Sequence, residues 1–156
     1  MIFIGVDPGV SGSAVAIDEH GQYVSHVSGD ATLTDQAWWL EQMPNVGLAL
    51  IERVHSMPKQ GVASSFKFGR SYGQWRGILA GAKVRWEEIT PTKWQTAMEC
   101  RTGGDKNVTK ARAQQLYPDA KVTHRTADAL LLAELGRRLA VERGLVNTGI
   151  NGKDDA

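Results

Sequence analysis

The hydrophobic pattern begins with a short β-branched run, Met1–Val6, halted by Asp7-Pro8-Gly9, which predicts a strand followed by a tight turn. Ser13–Ile17 and Tyr23–Val27 repeat the strand pattern, with Asp18-Glu19-His20-Gly21 between them as a hairpin turn, so an antiparallel meander of three strands is expected. The period then lengthens. Thr34 is placed to cap a helix running to about Met43, with Ala37, Trp38 and Leu40 on its apolar stripe, and Pro44-Asn45 breaks it. Gly47–Ile51 is apolar without interruption, the mark of a strand buried on both faces and therefore central in a sheet. After Glu52 a loop containing Pro58 and Gly61 leads into a long helix, Ala63 to about Ala80, carrying Phe66, Phe68, Tyr72, Trp75 and Leu79. Ala82–Ile89 reads as a fifth strand, and Thr90-Pro91 starts a helix with a capping residue and a proline at the first position. Arg101–Asn107 is a glycine-containing basic loop, and Val108–Leu116 a further helix ended by Tyr117-Pro118. Thr123 caps the last long helix, which runs to about Arg143 and stops at Gly144. The expectation is a mixed five-stranded α/β sheet, a three-strand antiparallel meander plus parallel strands, with helices on both faces. Residues 1–146 read as a single domain and 147–156 as a polar, disordered tail.

Composition narrows the class. An apolar share of 42% and a charged share of 22% are ordinary for a globular protein. No apolar run approaches the roughly 18 residues of a membrane span, and no basic-then-apolar leader is read at the start, so an intracellular, cytoplasmic location without membrane contact is expected. The one cysteine, Cys100, excludes a disulfide within the chain and a cysteine-rich zinc site. The net charge of +1 conceals a segregation. Residues 1–49 hold six acidic side chains and no Lys or Arg, whereas residues 50–125 hold fourteen basic against six acidic ones. A segment that basic points to a polyanion whose phosphates supply the affinity.

Against this background three carboxylates stand out. Asp7 ends the first strand and Glu52 ends the buried fourth, so if those strands are neighbours both acids emerge at one edge. Asp128 lies one turn into the final helix among small and apolar residues, where it could join them. Each has an ordinary alternative role: a turn former, the polar end of a strand, a helix-dipole partner. Together, beside the basic segment, they suit two divalent cations of the Mg²⁺ or Mn²⁺ type, able to activate water and stabilise a leaving oxygen at phosphorus.

Four segments carry a family resemblance. IGVDPGVSGSAVAI (Ile4–Ile17) resembles the opening hairpin of RuvC-type Holliday-junction resolvases, of the ribonuclease H-like superfamily. The segment beginning IERVHSMPKQG (Ile51–Gly61) and running on to Leu79 is similar to their second motif, in which a catalytic glutamate precedes a DNA-facing loop and a long helix. TPTKW (Thr90–Trp94) with the stretch holding Lys106 and Lys110 resembles their basic region, and ADALLLAELG (Ala127–Gly136) their last acidic motif. The compact length is similar to bacteriophage-encoded members.

The resemblance implies a ribonuclease H-like fold and a homodimeric, metal-dependent endonuclease. Its substrates would be four-way junctions and other branched DNA, and its products would carry 5′-phosphate and 3′-hydroxyl ends. It implies Asp7, Glu52 and Asp128 as ligands of Mg²⁺, with Mn²⁺ able to substitute. The family often has a fourth ligand about one turn before the last aspartate. Arg125 lies three residues before Asp128 and His124 four before, both on the same helical face. A neutral imidazole can ligate a cation and a guanidinium cannot, which selects His124. His55 takes the place of a base-stacking aromatic residue, and Lys59 lies in the same loop. Lys93, Lys106 and Lys110 are candidates for phosphate contact or transition-state charge stabilisation, Lys110 being counted with the catalytic group, and Arg70 and Arg76 are secondary DNA contacts. Phe66 and Phe68 are expected to pack the helix against the sheet or a second subunit, and Trp38, Trp39, Trp75, Trp86 and Trp94 to lie in the core or an interface. Three rivals share parts of the pattern: a ribonuclease cutting RNA–DNA hybrids, an actin-like ATPase, which needs two such domains, and a catalytically weak junction-binding module.

Overall fold

The structure, a computed structural model, describes residues 1–55 and 59–146. The expected disordered tail and the loop residues 56–58 lie outside the described residues. Five strands, β1 (Ile2–Asp7), β2 (Ser13–Asp18), β3 (Tyr23–Ser28), β4 (Val46–Glu52) and β5 (Trp86–Ile89), form one sheet in the order β3-β2-β1-β4-β5. β1, β2 and β3 are the antiparallel meander, and β4 and β5 run parallel to β1. Asp18 closes the β2–β3 hairpin: its Oδ1 accepts from the backbone of His20 at 2.9 Å and of Gln22 at 2.8 Å.

Five helices complete the chain: α1 (Leu33–Glu41), α2 (Val62–Gly81), α3 (Pro91–Ala97), α4 (Lys106–Leu116) and α5 (His124–Glu142). Alternation along β1 divides the core in two. Phe3, with Leu48 and Leu50 of β4, faces a cluster that includes Trp94 and the apolar side of α5. Ile2, Ile4 and Val6 face the other way, towards Trp39 and Leu40 of α1 and Trp75 and Leu79 of α2. Gly5 records how closely α5 lies on the sheet. A Cβ there would fall 1.9 Å from the Ala129 carbonyl oxygen, so only glycine lets the helix reach β1.

Three element starts differ from the sequence expectation by two residues or more. The cap of α1 is Thr32 rather than Thr34, because the Thr32 Oγ1 accepts from the Asp35 backbone at 3.1 Å and donates to its carboxylate at 2.8 Å. The strand expected over Ala82–Ile89 shrinks to Trp86–Ile89: α2 continues to Gly81, and Lys83 follows in the left-handed region with φ 56°. α4 starts two residues early, at Lys106, since Asp105 caps it by accepting from the Asn107 backbone at 2.9 Å. At α5 the expected cap, Thr123, is in place and exchanges hydrogen bonds with Thr126 as a capping box. Among the described residues no helix is long and apolar enough to cross a membrane.

Candidate active site

Parallel pairing of β1 with β4 puts Val6 opposite Ile51, so the next residue on each strand, Asp7 and Glu52, ends side by side at the carboxyl edge of the sheet. α5, packed across β1, β2 and β4, brings Asp128 to the same edge from its second turn. The electrostatics show the convergence. Burial pushes the Asp7 carboxyl well above the usual carboxylate range, and the charges of Glu52 and then Asp128 push it further, against an opposing pull from Lys106. Burial also raises Glu52, against a hydrogen bond from Trp94, with Asp128 adding to the rise. Asp128 is raised by burial too, opposed by a hydrogen bond from Thr109 and by the charges of Lys106 and His124. Three acids far apart in the chain thus share one poorly solvated corner. Among the described residues none of the three is ion-paired to a Lys or Arg within salt-bridge distance.

Neutral groups hold this corner in place. The Trp94 indole Nε1–H donates to Glu52 Oε2 at 2.6 Å. The Gly9 backbone, in the turn after Asp7, donates to Ser71 Oγ of α2 at 3.0 Å, and Ser13 Oγ donates to the Arg125 carbonyl at 3.0 Å, tying β2 to the start of α5. The sequence leaves Trp94 to the core or an interface, and it lies in the core; neither its bond to Glu52 nor a role for Thr109 is expected from the sequence. Both pairings cross between elements, and no spacing along the chain encodes them.

The two residues that precede Asp128 part company. Arg125 turns to the β1–β2 turn and the end of β3, where its Nη1 donates to the Val10 carbonyl at 2.8 Å and to Ser28 Oγ at 2.7 Å and pairs with Asp30 at 3.4 Å. His124 is the exposed first residue of α5, and its charge acts on Asp128. The basic candidates also divide. Lys106 opens α4, and its charge reaches both Asp7 and Asp128; Lys110 lies one turn further on, half-buried. Lys93 is exposed on α3, and His55 and Lys59 are exposed after β4. Arg70 is exposed on α2 beside a groove of about 520 Å³ that it lines with Val10, Leu33 and Lys67. Arg76 is engaged elsewhere: it pairs with Glu88 at 3.0 Å and lies over the rings of Tyr72 and Trp86, on the β5 side of α2. Phe68 packs over Gly9, while Phe66 is 70% exposed.

The donor set suits a hard divalent cation by charge and atom type: carboxylate oxygens, desolvated and short of compensating charge. Among the described residues no three His, Cys, Asp or Glu side chains stand close enough together to hold a metal ion as they are placed, so the fit rests on donor chemistry and charge.

Strand order, parallel β1–β4 pairing and a final helix bringing an acid to the strand ends define a ribonuclease H-like α/β fold of the RuvC kind. No protein-family model and no curated protein matches the sequence. Among solved structures the chain is similar to Thermus thermophilus RuvC in complex with a Holliday junction substrate, with a TM-score of 0.65 at 15% identity over 92% of this chain and 97% of that one. A second Thermus thermophilus RuvC structure matches with a TM-score of 0.60 at 17% identity over the same shares of the two chains. At such identities the likeness is one of fold.

Proposed function

We propose that this protein is a metal-dependent endodeoxyribonuclease, a crossover-junction resolvase that hydrolyses phosphodiester bonds in four-way junctions and other branched DNA. The observation that carries the reading is the meeting of Asp7, Glu52 and Asp128 at one sheet edge, each carboxyl raised by burial and two of them further by their neighbours. A merely structural site would pair such charges with Lys or Arg. One left short of positive charge is suited to import it with a substrate or an ion.

Asp7, Glu52 and Asp128 would hold two Mg²⁺ ions, with His124 as fourth ligand. Bound there, the ions would supply a nucleophilic water and stabilise the leaving oxygen, giving 5′-phosphate and 3′-hydroxyl ends. Lys106, whose charge acts on Asp7 and Asp128, is the cation best placed to oppose charge that builds on the phosphate, with Lys93 on α3 and Lys110 on α4 as further phosphate contacts. His55, Lys59 and Arg70 extend the DNA-binding surface. The reading takes residues 1–146 as one nuclease domain acting inside the cell.

A four-way junction offers two symmetric scissile strands, which a two-fold dimer matches. α2 supports a homodimer: Val62 is 88% and Phe66 70% exposed, and Gly69, Gly73 and Gly77 continue the same face at helical spacing with open space where their Cβ atoms would be.

The test is cleavage of a synthetic four-way junction in Mg²⁺, Mn²⁺ or chelator. Cutting is expected with either ion and none with chelator. Asp7→Asn is expected to lower the rate by about 10³-fold or more while junction binding persists. Mn²⁺ should serve at least as well as Mg²⁺ if His124 is a ligand. Undiminished cutting by the Asn variant would remove Asp7 from the mechanism, and binding without cutting by the unaltered protein would leave a junction-binding module.

A further inference from the structure

A glutamate reaches its carboxylate through three rotatable bonds, so something must fix its direction if it is to bind an ion with a defined geometry. Glu52 has one hydrogen-bond partner of that kind among the described residues, Trp94. The frame behind that contact is rigid. The Arg53 backbone, next to Glu52, donates to the Ile89 carbonyl at 2.8 Å, so the ends of β4 and β5 are joined where α3 begins. Pro91 starts α3 after Thr90, whose carbonyl accepts from the Trp94 backbone at 3.1 Å. The Trp94 side chain is 0% exposed within the core cluster on the α5 face. Its Nε1–H therefore arrives at Glu52 Oε2 from a fixed direction.

The contact could exist only to give a buried indole N–H a partner. Trp75 argues against that necessity. It is equally buried, at 0% exposed, and its Nε1 has no hydrogen-bond partner among the described residues. Among the described residues the core thus holds an indole N–H without a partner, so the bond to Glu52 is not imposed by burial alone.

We infer that Trp94 is a positioning residue for Glu52: its indole N–H holds Oε2 and reserves Oε1 for a divalent cation. The inference rests on the metal-dependent nuclease reading and deepens it by assigning how one ligand is aimed. A neutral donor suits the task. A Lys or Arg in its place would neutralise the carboxylate and compete with the ion, whereas the indole orients Glu52 and leaves its charge available.

The experiment uses the full chain with three changes: Trp94→Phe, benzothienylalanine in place of Trp94, and Trp75→Phe. Benzothienylalanine keeps the bicyclic shape and puts sulfur where the N–H was, so it removes the donor with little change in packing. It also carries the test if Trp94→Phe folds poorly. Trp75→Phe imposes a similar loss of core volume with no loss of a bonded donor. Mn²⁺ affinity is measured without DNA by electron paramagnetic resonance, junction affinity in chelator, and cleavage under single-turnover conditions. Both changes at Trp94 are expected to weaken Mn²⁺ binding and slow cleavage by about 10- to 100-fold, with junction affinity unchanged. Trp75→Phe is expected to lower thermal stability and leave metal affinity and single-turnover rate near those of the unaltered protein. Unchanged Mn²⁺ affinity and rate without the Trp94 donor, or equal losses in Trp75→Phe, would overturn the inference while leaving the nuclease reading standing. An unaltered protein that neither binds Mn²⁺ nor cuts would overturn both.

Discussion

The two long helices, α2 and α5, are almost equal in length, at 20 and 19 residues, yet α5 buries eleven of its residues and α2 only Ser71, Trp75 and Leu79. α5 lies flat on β1 and is buried without a break from Ala129 to Gly136, with the sheet beneath it and α4 beside it, while its polar ends remain accessible. α2 touches the sheet through a narrow stripe and turns Val62, Phe66 and a run of glycines outward. The difference teaches where precision resides. The helix that carries Asp128 is fixed by contact along its length, whereas the helix that follows the Glu52 loop presents an apolar surface that no other described residue covers.

The largest expected effect breaks the α5 side of that comparison. Gly5→Ala would place a methyl group 1.9 Å from the Ala129 carbonyl oxygen and 2.4 Å from the Ala133 nitrogen, both backbone atoms that cannot rotate away. We expect a loss of about 3 kcal/mol or more in urea denaturation, and with it loss of cleavage, because the helix that lifts would carry Asp128 with it. A variant that unfolds with an unchanged midpoint would show that α5 does not rest on β1 as described.

Much of this organisation was legible in the sequence, and the exceptions have physical causes. Asp7 and Glu52 were readable because an apolar run ending in an acid has one meaning when it is buried on both faces and another when it is not, and Gly47–Ile51 is apolar throughout. Thr123 before the last helix was readable because a cap acts within four residues. Thr32 and Thr34 are both competent caps, and only the Asp35 geometry selects the first. Ala82–Ile89 alternates like a strand, but its first residues serve to end α2 and turn the chain at Lys83. His124 and Arg125 share a helical face by spacing. What separates them is the β1–β2 turn and Ser28, which draw the guanidinium away. Trp94 meets Glu52 across 42 residues of sequence, a relation that exists only once α3 is docked.

A second, smaller effect follows from the charge gathered where α5 meets the strand ends. In the metal-free protein Asp7, Glu52 and Asp128 all have folded-state pKa values above their ordinary ones, 3.8, 4.5 and 3.8. The folded state therefore holds protons more tightly than the unfolded chain. The cluster costs nothing below the ordinary carboxylate range, and stability is lost as pH rises from there through the raised values. Asp7→Asn should raise the melting temperature of the metal-free protein at pH 7.5, with the gain shrinking as pH falls towards 4. A gain that grows on acidification would mean that the Asp7 pKa is depressed by folding, contrary to its surroundings.

The smallest effect sharpens the α2 side. Gly73 sits mid-helix with nothing within 4 Å of where a Cβ would lie, and glycine in a helix interior costs about 1 kcal/mol relative to alanine. If α2 stayed exposed, Gly73→Ala would simply stabilise the chain by roughly 0.5–1 kcal/mol through restriction of the unfolded state. If α2 packs on its copy, the same methyl group would hold two backbones apart. We expect both consequences at once: higher stability of the isolated chain in denaturation at low protein concentration, and weaker self-association in sedimentation at high concentration. Phe66→Ala should weaken association without that gain in chain stability, because it removes contact area without changing glycine's helix penalty. Stabilisation by Gly73→Ala with undiminished association would place the partner's contact elsewhere and leave this face of α2 to DNA, where Lys67 and Arg70 already border it.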